Sequence, residues 1–422
     1  MDGFLFGAVV LLSLIVLFGF FNEKVTKLTY EISLMIFSVF ISGIFLLITI
    51  FFKNATPIIE FTEKLKKFDI EAFLIEGVLC FMLFAGSCHM KLLDFKKHAR
   101  PVSLLAIGTT FLGAIFYGLI FYGANILLKL NMTLPMCLMF GSIIAPTDPI
   151  AATSILKKFN LPSNIGFIIE GESLLNDGVG VALFVFFSGM VSSSGGGNFF
   201  AIMFKELFGA ILVGIVVTAV CFPIFKYTKD DIRKIFASLL AVSLAYVLCE
   251  IWGFSGAIAS VVCGILFSAL RNYNASKGHP IELEKFDTFW EIVDTLMNSI
   301  LYILLGMFFF NVYKLPYVLL LSLIAIVANL IARASGVGIA SLFMGKLPDN
   351  YDKINFIKLL TWGGLRGGLS VALAMSIDGM VSEEIYNIIL GCVFAIVFFT
   401  TVVQGMTMKK VYLGIERKVN AK

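Results

Sequence analysis

Long apolar runs separated by short polar connections fill almost the whole chain. Each run has the roughly 17–25 residues that an α-helix needs to cross a hydrocarbon core of about 30 Å. The pattern predicts thirteen spans, near residues 3–21, 29–52, 71–90, 102–128, 134–156, 165–191, 199–226, 234–251, 254–270, 291–313, 316–343, 357–377 and 384–408. The predicted fold class is therefore an all-α polytopic membrane protein, with residues 1–422 forming one membrane domain and no soluble domain.

Two of these spans are interrupted by residues that break helices. Span 5 contains PTDP at 146–149, where proline removes amide donors. Span 12 contains WGGLRGG at 362–368, where four glycines flank Arg366 and weaken the helix. The two spans cross the membrane in opposite directions, which is typical of inverted repeats with a binding site near the midplane. We predict inverted repeats in which the discontinuous helices 5 and 12 meet at that depth.

Lys and Arg residues are concentrated in alternate loops, on one side of the predicted membrane. Of the 32 Lys and Arg residues, 23 follow odd-numbered spans or lie in the C-terminal tail, and seven lie in the other loops. Cytoplasmic loops are enriched in Lys and Arg, so we predict an external N-terminus and a cytoplasmic C-terminus in the cell (inner) membrane. His89 and His98 flank the cytoplasmic end of span 3. They titrate in the physiological range, which is consistent with a pH-sensing role or with ordinary loop histidines.

The composition excludes several classes of protein. Apolar residues make up 59% of the chain and charged residues 14%, against roughly 25% charged residues in soluble domains. The net charge of +4 is dispersed among loops, so no nucleic-acid partner is predicted. The seven cysteines lack metal-ligand spacing. The chain has neither HExxH nor GxSxG, which disfavours an intramembrane hydrolase. A single pair of interrupted spans, 5 and 12, suits a carrier better than a cation channel. The chain is not predicted to be an enzyme.

Spans 5 and 6 carry polar groups at depths where charge is costly. A charge at the bilayer centre costs about 2.5–3.5 kcal/mol on insertion scales, so such residues predict a functional site. The acidic residues are Asp148, Glu170, Glu172 and Asp177. A structural proline kink and an interhelical polar patch are the alternative interpretations.

Spacing predicts which side chains converge on the span 5 break. Ser173 and Asp177 are four residues apart, so they share a helical face, and with Asn176 we expect them to point at the break. There Thr147 and Asp148 supply oxygens of the kind that bind small hard cations. A buried Asp177 has to be neutralised by a proton or by a metal cation, and this competition is the minimum chemistry of an exchanger. No cofactor is predicted.

Two arginines lie inside spans. An unpaired buried guanidinium is very costly, so we predict that Arg366 pairs with Glu172, with Glu170 as the second candidate. This pair would hold the broken regions against span 6. Arg333 lies one turn from Asn329 in span 11, and we predict that it anchors a helix contact.

Several motifs occur in the order found in a known transporter family. They are APTDP, GESLLNDGVGVALF, FWEIVDTLMNSILYILLG and TWGGLRGG. Together they resemble the sodium/proton antiporters of the first monovalent cation:proton antiporter family, in its bacterial and archaeal NhaP-like branch. The resemblance implies two inverted six-helix repeats and a homodimer, in which a core domain moves against a dimerising interface domain.

The resemblance also implies roles for individual residues. An ion site for Na⁺ or Li⁺ would comprise Thr147, Asp148, Ser173 and Asp177, with Asn176 holding the site together and Glu172 paired with Arg366. Asn176-Asp177 stands where the electrogenic branch has two aspartates, which implies electroneutral exchange.

One span departs from the family pattern. Many relatives carry a carboxylate in span 3, where this chain reads LFAG at 83–86, and the acids of that span, Glu71 and Glu76, lie near its outer end. The expected function is antiport of cytoplasmic Na⁺ or Li⁺ against external protons by alternating access. A K⁺/H⁺ antiporter with the same mechanism is the alternative, and a cation channel is a remote one.

Overall fold

A computed structural model describes residues 2–51, 79–88, 99–148, 163–192, 199–277, 284–312, 317–345, 347 and 351–420. All of its regular structure in these ranges is helical. The helices of the first half are α1 Asp2–Phe21, α2 Tyr30–Phe51, α3 Leu79–Cys88, α4 Thr110–Leu128, α5 Leu134–Ile144, α6 Ser163–Ser192 and α7 Phe199–Tyr227. Those that follow are α8 Asp231–Trp252, α9 Gly256–Ser276, α10 Glu284–Val312, α11 Val318–Phe343, α12 Lys353–Trp362, α13 Gly368–Met375, α14 Glu383–Phe398 and α15 Gly405–Asn420.

Eight helices in the described ranges are long and apolar enough to cross a membrane. Many large apolar side chains on their outer faces are exposed, among them Phe208 and Leu323. Such exposure is typical of a surface that contacts lipid. The predicted all-helical membrane fold is therefore confirmed. The count of thirteen spans and the inverted repeats stay predictions.

The connection between α8 and α9 is only three residues long. α8 ends at Trp252, and Gly253 adopts φ +67°, a left-handed conformation that suits glycine because it has no Cβ. Ser255 then caps α9 by accepting a hydrogen bond from the backbone N–H of Ile258. The predicted division at 252–253 is thus present in the structure.

α10 begins earlier than its hydrophobicity predicts. The apolar run starts near residue 291, but the helix begins at Glu284. Its first turn carries Glu284 and Asp287, whose negative charges complement the helix dipole. Hydropathy marks only the apolar part of a helix, so it missed this acidic turn.

The helices converge around the two interrupted spans. α5 packs between α4 and α6, and α11 packs against α4, α12 and α14. The short helix α13 contacts α5, α6, α10 and α14. On another side, α7, α8 and α9 pack together, α3 joins α9 and α10, and α10 also packs against α2. This arrangement brings α5, α6, α10 and α11 to one buried region.

Gly141 allows α4 and α5 to pack at close range, and its replacement is expected to destabilise the protein. A Cβ at Gly141 would overlap the backbone carbonyl oxygen of Ala114, and a backbone group cannot move aside as a flexible side chain can. We expect Gly141→Ala to cost about 1–3 kcal/mol through overpacking and to lower the thermal midpoint in detergent. The control is Gly123→Ala in α4, where a Cβ has no neighbour within 4 Å. A Gly141→Ala midpoint equal to that of the control would contradict the close-packing argument.

Candidate functional site

The site lies where spans 5 and 12 are interrupted. α5 ends at Ile144, and residues 145–148 continue without helical structure. The rest of span 5, residues 149–162, lies outside the described residues. α12 ends at Trp362 and α13 begins at Gly368, so the interruption in span 12 falls on 363–367, as predicted.

Direct hydrogen bonds connect the two interruptions. The backbone N–H of Asp148 donates to the carbonyl oxygen of Leu365 at 2.8 Å. In return, the Nη1 atom of Arg366 donates to the carbonyl oxygens of Ala145 and Pro146, the latter at 2.8 Å. Backbone groups that lost their helical partners in one break are thereby satisfied by the other. This exchange meets the requirement that buried backbone groups be paired.

Close contact between the breaks requires a glycine at position 367. A Cβ there would overlap the Oδ2 atom of Asp148. The WGGLRGG motif thus does more than weaken the helix, because its third glycine, Gly367, leaves room for a carboxylate. The helical segment Phe399–Gln404, between α14 and α15, holds the backbone of Arg366. The N–H of Arg366 donates to Thr400 Oγ1 at 3.1 Å, and its carbonyl accepts from Thr401 Oγ1 at 3.3 Å.

Thr147, Ser173 and Asn176 form a buried hydrogen-bonded cluster. The Oγ atoms of Thr147 and Ser173 are 2.9 Å apart. Asn176 Nδ2 donates to Thr147 Oγ1 at 2.6 Å, and Asn176 Oδ1 accepts from the backbone N–H of Thr147 at 3.3 Å. All three residues are at most 2% exposed. The structure therefore brings together three of the predicted site residues from two spans.

The two aspartates have different surroundings. Asp148 is buried, and its Oδ2 atom accepts a hydrogen bond from the hydroxyl of Tyr302 at 2.6 Å. Asp177 is only half-buried on α6, one residue beyond Asn176. In the described part of the chain it makes no hydrogen bond or ion pair, although Asp148 and Asp294 lie near enough to act on it electrostatically. Asp177 thus offers carboxylate oxygens that no described side chain occupies.

The predicted pair between Glu172 and Arg366 is wrong, because Glu172 pairs with Arg333. Arg333 Nη1 and Nη2 donate to Glu172 Oε1 and Oε2 at 2.5 and 2.8 Å. This is the bidentate geometry that makes arginine–carboxylate pairs strong. Both side chains are buried, at 1% and 5% exposure. Arg333 also donates to Thr109 Oγ1 at 3.1 Å and to the carbonyl of Leu360 at 3.3 Å. It anchors α11 to α6 and to the end of α12.

Within the described residues, Arg366 binds neutral oxygens and no carboxylate. Besides the two carbonyls of the span 5 break, its Nε and Nη2 donate to Asn329 Oδ1 at 3.3 and 3.0 Å. The physical reason is that a proline-broken helix presents carbonyls without N–H donors, and a guanidinium supplies several donors at once. Asn329 and Arg333 lie one turn apart on α11. Asn329 contacts Arg366, whereas Arg333 contacts Glu172.

Sequence reasoning missed several residues that face this region. Tyr302, Asn329, Thr109 and Asp294 were assigned no part in it. A signal existed for Tyr302, since a tyrosine buried inside an apolar run usually needs a hydrogen-bond partner. Of the other predicted residues, His89, His98 and Glu76 lie outside the described residues, as does the side chain of Glu170.

Comparisons with known proteins match nearly the whole chain. The family model for "Sodium/hydrogen exchanger, transmembrane" matches residues 9–413. The Na⁺/H⁺ antiporter NhaP of Pseudomonas aeruginosa is 28% identical over 369 residues, covering 84% of this chain and 85% of that protein. The Na⁺/H⁺ antiporter ApNhaP of Aphanothece halophytica is 31% identical over 348 residues, covering 80% of this chain and 64% of that one.

A solved structure shares the fold. The sodium proton antiporter MjNhaP1 from Methanocaldococcus jannaschii, solved at pH 8, superposes with a TM-score of 0.74. The match covers 98% of this chain and 99% of that chain, at 18% sequence identity. The helical arrangement described above is thus the fold of that protein.

Proposed function

Because the chain belongs to the sodium/hydrogen exchanger family, we propose that it is a secondary-active antiporter exchanging Na⁺ or Li⁺ for protons one for one. The similar proteins from Pseudomonas aeruginosa and Aphanothece halophytica are named as Na⁺/H⁺ antiporters. The observation that carries the proposal for this chain is the position of Asp177. Its carboxylate is half-buried, has no hydrogen-bonding partner in the described residues, and adjoins the cluster of Thr147, Ser173 and Asn176.

The chemistry of exchange follows from this placement. A bare carboxylate inside a membrane is unfavourable, so Asp177 has to be neutralised by a proton or by a metal cation. The two cargoes compete for the same oxygens, and release of one accompanies uptake of the other. Thr147, Ser173 and Asp148 are the proposed additional ligands, since hydroxyl and carboxylate oxygens suit a small hard cation.

Asn176 is proposed to hold the site together instead of binding the cation. Both polar ends of its amide are already engaged by Thr147, one with the hydroxyl and one with the backbone N–H. This double contact fixes the span 5 break against α6. Asn176 is also fully buried, which supports a positioning role.

We infer the remaining architecture from the sequence pattern and the family. The proposal comprises thirteen spans in two inverted six-helix repeats, with an external N-terminus and a cytoplasmic C-terminus. It also comprises a homodimer in which a core domain, carrying both breaks, changes access by moving against an interface domain. No cofactor is part of the proposal.

Proton flux in proteoliposomes under an imposed cation gradient tests this function. We expect Na⁺ and Li⁺ gradients to drive proton movement at a rate that does not change when the membrane potential is clamped at different values. Potential-dependent flux would contradict the one-for-one stoichiometry. Flux driven by K⁺ alone would assign the chain to K⁺/H⁺ exchange, and cation conductance without proton exchange would identify a channel.

A further inference from the structure

The hydroxyl of Tyr302 forms a short hydrogen bond inside the membrane domain. It donates to Asp148 Oδ2 at 2.6 Å, a typical distance for a strong bond between a hydroxyl and a carboxylate. Tyr302 is 1% exposed and Asp148 is 7% exposed, so bulk water does not compete for this bond. Tyr302 belongs to α10, which contacts α13 but contributes none of the ligands proposed above.

Two further contacts restrict the same carboxylate. Gly367 leaves space for Oδ2 on the side of the second break, where any Cβ would overlap it. The backbone of Asp148 is fixed by its hydrogen bond to the carbonyl of Leu365 at 2.8 Å. The side chain of Asp148 is therefore enclosed on the Oδ2 side by a hydroxyl and a glycine, with its main chain held in place.

Tyr302 also ends a row of polar residues on one face of α10. Asp294, Asn298 and Tyr302 follow at intervals of four, so they share a helical face. Asn298 Nδ2 donates to the carboxylate of Asp294 at 3.1 Å and to its carbonyl at 3.0 Å. This row extends the polar groups of the Tyr302 face along α10 toward Asp294.

We propose that Tyr302 is a positioning residue that sets the affinity of the cation site by fixing the carboxylate of Asp148. The proposal rests on the proposed antiport function. By donating to Oδ2, the hydroxyl holds the carboxylate of Asp148 in one orientation relative to the proposed cation site. Pre-arrangement of a ligand lowers the ordering cost of binding. Because the hydroxyl does not take up the transported proton, its loss affects cation affinity and not the maximal rate.

The test is Tyr302→Phe in the full-length protein. We expect the KM for Na⁺ in proteoliposomes to rise about tenfold, as for loss of one hydrogen bond to a charged group, with the maximal rate within about twofold. A second readout does not depend on transport: the Na⁺ concentration giving half-maximal thermal stabilisation in detergent should rise by a similar factor.

Tyr117→Phe is the matched control. Tyr117 is as buried as Tyr302, at 1% exposure, but its hydroxyl has no hydrogen-bond partner in the described part of the chain. Its ring packs against Phe121 and Phe140. This variant removes the same atom without removing a hydrogen bond, so its KM for Na⁺ and its stabilisation midpoint should equal those of the wild type.

The outcomes separate this inference from the function on which it rests. Absence of cation-driven flux in the wild type would overturn the antiport proposal itself. Normal wild-type exchange with an unchanged KM in Tyr302→Phe would overturn only the role of Tyr302. A fall in maximal rate that parallels a loss of thermal stability, with KM unchanged, would show that Tyr302 is merely structural.

Discussion

Asp177→Asn abolishes cation/proton exchange and leaves the protein folded; this is the largest effect on activity that we expect. Asparagine has the same shape but can neither carry the proton nor neutralise the cation. A carboxylate 4 Å from a cation contributes about 4 kcal/mol at an effective dielectric constant of 20, close to a factor of 1000 in affinity. The measurement is proton flux in proteoliposomes driven by Na⁺, together with size-exclusion chromatography and thermal unfolding of the purified variant.

Asp378→Asn supplies a control with the same chemical change. Asp378 is exposed in the turn after α13, and its Oδ1 atom accepts from the backbone N–H of Gly379 at 3.0 Å. An asparagine keeps that acceptor, so exchange and stability should both match the wild type. Wild-type flux through Asp177→Asn would remove Asp177 from the ion-binding role. Aggregation of Asp177→Asn, with Asp378→Asn intact, would assign Asp177 a structural role instead.

Breaking the pair between Glu172 and Arg333 is the substitution with the largest expected effect on stability. Removing one partner of a buried ion pair leaves the other charge uncompensated and typically costs about 3–5 kcal/mol. Both Arg333→Met and Glu172→Met should therefore lower the thermal midpoint and the yield of folded protein in detergent. The variant with both changes should be more stable than the two separate costs predict, because neither charge is left alone.

Double-mutant cycles decide which arginine Glu172 contacts. Residues in direct contact show interaction energies of about 0.5–3 kcal/mol, so we expect a clear coupling between Glu172 and Arg333. The same cycle with Arg366→Met is the control, since Arg366 donates to Asn329 and to backbone carbonyls. A stronger coupling of Glu172 to Arg366 than to Arg333 would contradict the pairing described above.

Features that depend on local chemistry could be predicted from the sequence. Two prolines in PTDP remove amide donors, and four glycines in WGGLRGG weaken the helix, so both interruptions were predictable without knowledge of the packing. The helical spacing of Ser173 and Asp177, with Asn176, predicted that these side chains point at the break. Ser173 and Asn176 do contact Thr147 there, whereas Asp177 makes no hydrogen bond to it in the described residues.

Features that depend on how helices pack could not be predicted in the same way. Two arginines inside spans were available for Glu172, and spacing along the chain does not say which faces α6. Arg333 lies on an intact helix and reaches the carboxylate, whereas Arg366 lies in the break and meets the exposed carbonyls of the opposite break. The contact of Tyr302 with Asp148 joins residues 154 positions apart, and no periodicity relates them.

The partners of Arg366 have a consequence for the number of charges that the site can carry. Glu172 and Arg333 cancel each other; leaving aside Asp294 on α10, the ionisable side chains among the proposed cation ligands and the two breaks are Asp148, Asp177 and Arg366. Two carboxylates and one permanent guanidinium leave a net charge of −1. One monovalent cation neutralises this charge, and so does one proton, whereas a divalent ion or a second cation would leave an excess positive charge in a low-dielectric interior. Under the proposed function, the same electrical state is reached with Na⁺ or with a proton, and the fixed Arg366 favours a loaded form that holds one positive charge.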